Sequence, residues 1–265
     1  MEKSEIIGYD GVHLSYYESY NPSSQVGILL IHGLSEHKGR YTDLINNLYE
    51  LNYSIFAADL RGHGESSGKR GDVKKIDEYL SDTHYLVCNI KNKYPYLKLA
   101  VLGHSLGGLI SAIYVATHNT IDFLILSSPL LIPPAKARFI KFLPYKLLGF
   151  IKVKKRHSES PEMLAYSYND PLSTNYLTLR LLGVIFHQGT KRLSEVLNSI
   201  NVPTLLLGGE LDPLIDTTAF QQLIKEVGSE DCEIRIYNDI RHRFFQNEQR
   251  TKIVSEIIDW LEQRL

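Results

Sequence analysis

Five short apolar runs recur along the chain, Val26 to Ile31, Ile55 to Ala58, Leu99 to Leu102, Phe123 to Leu126 and Thr204 to Leu207, each closing in a polar or glycine-rich turn. Nearly unbroken apolar runs of this length suit strands covered on both faces of a parallel sheet, where neither side of the strand meets water. Between and after them, Tyr41 to Leu51, Ile76 to Lys93, Leu106 to Thr117, Thr217 to Val227 and Lys252 to Leu261 bring apolar residues round every three or four positions, which predicts amphipathic helices. Strand then helix, repeated, predicts an α/β fold: a mostly parallel sheet with helices on both faces and ligands bound beyond the carboxyl ends of the strands. The first twenty residues differ, alternating at Val12, Leu14, Tyr16 and Glu18 beside Gly8-Tyr9-Asp10-Gly11, as an opening antiparallel hairpin does. From Pro129 to Val202 the strand rhythm gives way to Pro133, Pro134, Pro144 and helix-like apolar stretches. An inserted cap over residues 129–202 is therefore expected between core segments 1–128 and 203–265.

Composition narrows the classes of function. With 43% hydrophobic residues in 265 the chain can build one large core, and its net charge of -1 gives no global attraction to nucleic acid. The polar start, Met1 to Glu5, lacks the apolar stretch of a secretory signal, and no apolar run approaches the ~20 residues of a spanning helix, so a cytoplasmic protein is expected. Charge is nevertheless uneven. Ala135 to Ser158 carries Lys136, Arg138, Lys141, Lys146, Lys152, Lys154, Lys155 and Arg156 with no acid, interleaved with Phe139, Phe142, Leu147 and Phe150. Such a basic amphipathic segment serves as a lid with solvated lysines or as a peripheral contact for anionic lipid, and the two are compatible. Cys88 and Cys232 fit no metal or redox spacing and are read as free thiols; the histidines form no zinc motif, and neither metal nor cofactor is expected.

The chemistry concentrates in three loops. Gly103-His104-Ser105-Leu106-Gly107 follows one apolar run and opens a helical stretch, the strand-turn-helix setting of a nucleophile elbow with Ser105 at its tip. A serine hydroxyl is a weak nucleophile at neutral pH and needs a histidine base fixed by a carboxylate. Asp212 stands in the loop after Leu205 to Leu207 and is preferred to Glu210, which lies closer to the strand; His242 stands in the loop after the alternating strand Ile234 to Tyr237. The oxyanion of the tetrahedral intermediate needs two backbone N–H donors, assigned to Leu106 after the nucleophile and to Leu34 after Ile31-His32-Gly33. His32 and His104 are read as structural residues.

Several blocks in order, His32-Gly33-Leu34-Ser35-Glu36-His37 with Arg40-Tyr41, Asp59 to Ser66, Gly68-Lys69-Arg70-Gly71, the elbow, Asn169-Asp170-Pro171-Leu172, Pro203 to Leu214 and His242 ahead of Asn247-Glu248, run over nearly the whole chain. Together they resemble the monoacylglycerol lipase and lysophospholipase group of α/β-hydrolases, a group also described as serine-aminopeptidase-like. The resemblance implies the α/β-hydrolase fold and hydrolysis of an ester bearing one acyl chain, through an acyl-serine intermediate under an apolar cap. It makes Glu36 and Arg40 candidate head-group contacts, with an internal pair bracing the loop as the other reading, and makes Asp59 to Ser66 a structural turn. Some relatives carry a second histidine shortly after the base, where this chain has Phe244-Phe245. Monoacylglycerol is the first substrate implied and lysophospholipid the second, with a general carboxylesterase or thioesterase behind them. A non-catalytic binder of hydrophobic ligands is the reading from another class; the presence of all three residue types of the triad speaks against it.

Overall fold

A computed structural model of the protein describes residues 1–154 and 169–265. Among the described residues the strands are β1 (Glu2–Ile7), β2 (His13–Ser19), β3 (Val26–Ile31), β4 (Ser54–Ala58), β5 (Lys98–His104), β6 (Phe123–Ser127), β7 (Lys152–Lys154), β8 (Tyr176–Thr178), β9 (Thr204–Gly209) and β10 (Cys232–Tyr237). Eight of them form one sheet in the order β1-β2-β4-β3-β5-β6-β9-β10, and β7 pairs with β8 in a separate hairpin. The expected opening hairpin is β1 with β2, antiparallel, and β2 pairs antiparallel with β4; every other neighbour in the large sheet is parallel. Helices α1 (Thr42–Glu50) and α7 (Arg250–Glu262) lie on one face, and α2 (Ile76–Lys93) and α3 (Leu106–Thr117) on the other. The apolar runs now have their physical reason. In β3, Ile28 and Leu30 pack with Leu44, Leu48 and Trp260, while Leu29 and Ile31 pack with Tyr79, Leu109 and Ile113. Successive residues of a strand point to opposite faces, so a strand roofed on both sides must be apolar at every position.

Two expected helical regions differ. The stretch Thr217 to Val227 holds a 3-10 turn, Thr217–Ala219, and one short helix, α6 (Phe220–Leu223). Its amphipathic stripe is thin: Phe220 alone is fully buried there, and the chain leaves through i→i+3 bonds, Lys225 N–H to Gln222 O and Glu226 N–H to Leu223 O. Between β6 and β9 the basic stretch forms 3-10 turns at Ala135–Phe142 and Tyr145–Leu147 and then β7, not an amphipathic α-helix. Pro144, lacking an N–H, separates the two turns, a position at which an α-helix could not continue. Residues 155–158 of that stretch, including Lys155 and Arg156, lie outside the described residues. The rest of this segment contains β8, α4 (Leu179–Gly183), a π turn (Val184–Gly189) and α5 (Thr190–Val196).

Polar contacts hold this segment to the loop ahead of α2 and to the start of that helix. Asp72, just after Gly68-Lys69-Arg70-Gly71, accepts from Thr178 Oγ1 at 2.6 Å and from the Arg180 guanidinium, and Gln188 Oε1 accepts the first N–H of α2, that of Ile76, at 3.0 Å. Beneath the β3 loop lies a second polar centre. Asp59, fully buried, accepts from Lys38 Nζ at 2.7 Å, from the Lys38 N–H at 2.6 Å and from the Glu65 N–H at 2.8 Å. Gly64 adopts φ 50° against that carboxylate, where a Cβ would overlap Asp59. Asp59 to Ser66 is thus a turn wrapped around a buried ion pair, in keeping with its structural reading.

Removing one partner of a buried pair strands the other charge, which costs about 3–5 kcal/mol. Lys38→Met is therefore expected to lower the urea-unfolding free energy by that amount. A loss under about 1 kcal/mol would mean that the two backbone donors alone satisfy Asp59.

Candidate active site

At the end of β5 the backbone turns so abruptly that Ser105 adopts φ 52°, ψ −112°, and α3 begins at the next residue. The turn is over-determined: the Ser105 N–H donates to Ser127 O at 3.0 Å, and its carbonyl accepts from Leu109 N–H at 3.2 Å and Leu130 N–H at 3.0 Å. Glycine is obligatory on both sides for lack of space. A Cβ at Gly103 would strike the Gly107 carbonyl and Ser111 Oγ, and one at Gly107 would overlap the Ile31 carbonyl at the end of β3.

The other two predicted residues converge on this point. The imidazole of His242 lies with Nε2 3.0 Å from Ser105 Oγ and Nδ1 2.8 Å from Asp212 Oδ2. With Asp212 accepting the Nδ1 proton, Nε2 is left as the acceptor for the serine hydroxyl. Asp212 Oδ1 accepts from the N–H groups of Leu214 at 2.8 Å and Ile215 at 3.1 Å. Burial alone would raise the Asp212 carboxyl; the hydrogen bond to His242, its charge and the Leu214 N–H outweigh that and hold it below its ordinary value. The loops after β9 and β10 are bonded to each other, Glu210 N–H to Tyr237 O and Leu211 N–H to Ile240 O, each at 3.0 Å, which fixes acid and base in one frame. Glu210, the competing acid, is exposed.

The β3 loop approaches from the other side. A Cβ at Gly33 would sit 3.3 Å from the Cβ of Ser105, so glycine lets the two backbones meet, and Leu34 and Leu106 both line the cavity above. The N–H of Leu106 is the first of α3 and precedes the intrahelical ladder. His32 is a brace: its Nδ1–H donates to Gly33 O at 2.7 Å, and its Nε2 accepts from Leu60 N–H at 3.0 Å. His104 is another, with Nδ1 3.1 Å from Ser127 O.

Glu36 and Arg40 part company. Glu36 lines the cavity but is engaged, its Oε2 accepting from Gly33 N–H at 3.1 Å and from the Tyr41 hydroxyl at 2.6 Å. Burial would raise its carboxyl, yet His104, Arg243, the Tyr41 hydroxyl and Arg40 together hold it far below the carboxylate range. Arg40 is absent from the cavity lining; its Nε and Nη2 lie 3.2 Å from Asp170 Oδ2, which also accepts from His37 Nε2–H at 2.7 Å. Asn169-Asp170-Pro171-Leu172 therefore fastens the inserted segment to the β3 loop. Phe244 and Phe245 are buried in the core with Tyr41 and Trp260.

The cavity holding Ser105, His104 and His242 measures about 360 Å³ and is walled by Leu130, Pro134, Val153, Leu177, Leu182, Phe186, Leu214 and Ile215, with Lys154 and Arg243 also lining it. The residues contributed by β7, β8, α4 and the π turn were not singled out from sequence, because their convergence depends on tertiary packing alone.

Burial pushes His104 down to about 4 from its ordinary 6.5, so it is neutral in the native state and takes up a proton on unfolding between those values. Stability contributed by this group is intact at neutral pH and is lost as pH falls from 6.5 towards about 4. Over that window His104→Gln should flatten the slope of unfolding free energy against pH by about 1 kcal/mol per pH unit. An unchanged slope in urea titrations would contradict a neutral buried imidazole.

Comparisons with known proteins place these features in context. A family model described as serine aminopeptidase, S33, matches residues 22–250. A monoglyceride lipase of Homo sapiens is 30% identical over 278 aligned residues, covering 98% of this chain and 90% of that protein. The crystal structure of a Paleococcus ferrophilus monoacylglycerol lipase matches with a TM-score of 0.81 at 26% identity, covering 94% of this chain and 98% of that one. A soluble variant of the Saccharomyces cerevisiae monoglyceride lipase, solved with a substrate analog, matches at 0.85 and 22% identity over 99% and 95% of the two chains, a likeness of fold.

Proposed function

The chain belongs to the serine aminopeptidase S33 family of α/β-hydrolases and is a serine ester hydrolase, and on that premise we propose that it cleaves the single ester of a monoacylglycerol, with Ser105, His242 and Asp212 as its catalytic triad. The observation that carries the reading is the unbroken chain of contacts from Ser105 Oγ through His242 to Asp212, opening into a cavity whose walls are mostly aliphatic. An acyl chain fits such walls; a peptide or a sugar, rich in polar groups, would leave its donors and acceptors unpaired there.

In this mechanism His242 Nε2 takes the hydroxyl proton as Ser105 Oγ attacks the ester carbonyl, and the Nδ1–H bond to Asp212 stabilises the imidazolium. The N–H groups of Leu34 and Leu106 receive the developing oxyanion, a contribution of about 10²- to 10³-fold per donor in enzymes of this kind. The imidazolium gives its proton to the departing glycerol oxygen and an acyl-serine remains. Water, deprotonated by the same Nε2, then releases the fatty acid and restores the hydroxyl. Residues 129–202 act as the lid, with Val153, Leu177, Leu182 and Phe186 against the acyl chain. Glu36 acts through the loop: by binding Gly33 N–H and Tyr41 it positions the Leu34 amide.

Fatty-acid release from monoolein and from lysophosphatidylcholine, measured side by side, tests the substrate, with monoolein expected to be the faster. Faster release from lysophosphatidylcholine would keep the hydrolase and replace the substrate. Ser105→Ala is expected to lower kcat by at least about 10⁴-fold, and Asp212→Asn by about 10⁴-fold, with the fold intact by circular dichroism. A wild-type protein inert towards monoolein, lysophosphatidylcholine and a soluble p-nitrophenyl ester would sink the proposal.

A further inference from the structure

We infer that Ser128 is a positioning residue for the catalytic acid, its hydroxyl donating to the Asp212 carboxylate as the contact that completes the acid's surroundings. The inference rests on the triad reading of the site, because Ser128 acts only through Asp212. Ser128 is absent from the cavity lining, so it has no direct part in holding substrate.

The backbone gives the first sign. Strand β6 runs between β5, which leads into Ser105, and β9, which leads to Asp212. Immediately past the end of β6, Ser128 adopts φ 39°, in the left-handed region that favours glycine. The residue is clamped there from both sides. Its N–H donates to Leu207 O of β9 at 2.8 Å; towards the elbow, Ser127 O accepts the Ser105 N–H and Leu130 N–H donates to Ser105 O, each at 3.0 Å. Glycine would take up this conformation without strain, whereas serine holds it at a cost, and a side chain retained under strain points to a use for that side chain.

The hydroxyl supplies the use. Ser128 is fully buried, and among the described residues its Oγ has no partner in hydrogen-bond geometry. Asp212 is the acceptor that needs it. A carboxylate offers about four acceptor sites, and three are filled here: Oδ2 takes His242 Nδ1–H at 2.8 Å, and Oδ1 takes the N–H groups of Leu214 at 2.8 Å and Ile215 at 3.1 Å. The Asp212 side chain is sealed from solvent, so bulk water does not reach the fourth. Burial alone would raise this carboxyl, and the Ser128 hydroxyl is among the groups, after His242 and the Leu214 N–H, that hold it down. The donor thus stands close enough to act on the carboxylate while the bond itself is open in the resting enzyme. Catalytic hydrogen bonds of this kind tighten as the reaction proceeds, and this one closes when His242 becomes an imidazolium. No proton leaves Ser128. Its hydroxyl fixes the carboxylate opposite Nδ1 and makes it less basic, so the proton stays on the imidazolium until the leaving oxygen takes it.

Ser128→Gly removes the hydroxyl and at the same time relieves the strained φ, so activity and folding move in opposite directions. Its thermal midpoint is expected at or above that of the parent, while kcat on a soluble p-nitrophenyl ester falls about tenfold at unchanged KM. Ser128→Ala should lose kcat to the same extent. In an Asp212→Asn background the glycine substitution should cost only about twofold, because the charge it serves is gone. The low-field proton NMR signal of His242 Nδ1–H should also move in Ser128→Gly. An unchanged kcat, a loss carried by KM, an equal loss in both backgrounds, an unmoved NMR signal or a Ser128→Gly protein that fails to fold would each overturn the inference. A wild type inert towards esters would instead overturn the hydrolase reading, and the NMR comparison, which needs no turnover, would still report on the Ser128 contact.

Discussion

The backbone at Ser105 occupies a region that L-residues avoid, at a cost of about 1–3 kcal/mol, and the surrounding architecture exists in the form that keeps it there. Its N–H is tied to β6, its carbonyl to α3 and to the start of the inserted segment, and its neighbours Gly103 and Gly107 lie against main chain of the elbow and of β3. Any relaxation of φ would break those bonds or force one backbone into another. The hydroxyl is thereby presented at the carboxyl end of the sheet, where the loops after β3, β9 and β10 all arrive.

Around that fixed point the three loops are held by different means. The loops after β9 and β10 are bonded to each other along their main chains, so Asp212 and His242 keep their separation without help from the rest of the cavity. The β3 loop has no such partner strand and, besides one main-chain bond from Thr174 N–H to Ser35 O at 3.4 Å, is held by side chains: His32, Glu36 and Tyr41 within the core, and Asp170 bonded to His37 and Arg40 from the inserted segment. Asp170 thereby ties the inserted segment to the loop that carries Leu34.

How much of this was legible in the sequence follows from the range of each interaction. The sheet, its two roofed faces and the positions of Ser105, Asp212 and His242 at strand ends were readable, because each rests on a local pattern of apolar run followed by turn. Lys38 was invisible: a lysine in a polar stretch reads as solvated, and only the fold shows it buried between Asp59 and Glu65. Glu36 and Arg40 share a motif four residues apart, yet a 3-10 turn at Lys38–Tyr41 sends one to the cavity and the other to Asp170. The helix expected at Thr217 to Val227 is shorter than read, and the helix-like stretches expected between Pro129 and Val202 form at α4 and α5 and not in the basic stretch, for one reason. Periodicity reports where apolar residues fall, whereas a lasting helix also needs a broad surface to pack on, and α6 and the 3-10 turns near the lid surface lack it.

The central claim is that the acyl group passes through a covalent bond to Ser105, and rapid acid quenching of the enzyme during turnover of a slow ester examines it most directly. Peptide mass mapping of the quenched protein should find one acyl group per chain on the peptide containing Ser105, formed before the acid product appears at its steady rate. An enzyme that turns over with no acylated peptide, or with the acyl group on a different side chain, would contradict the account.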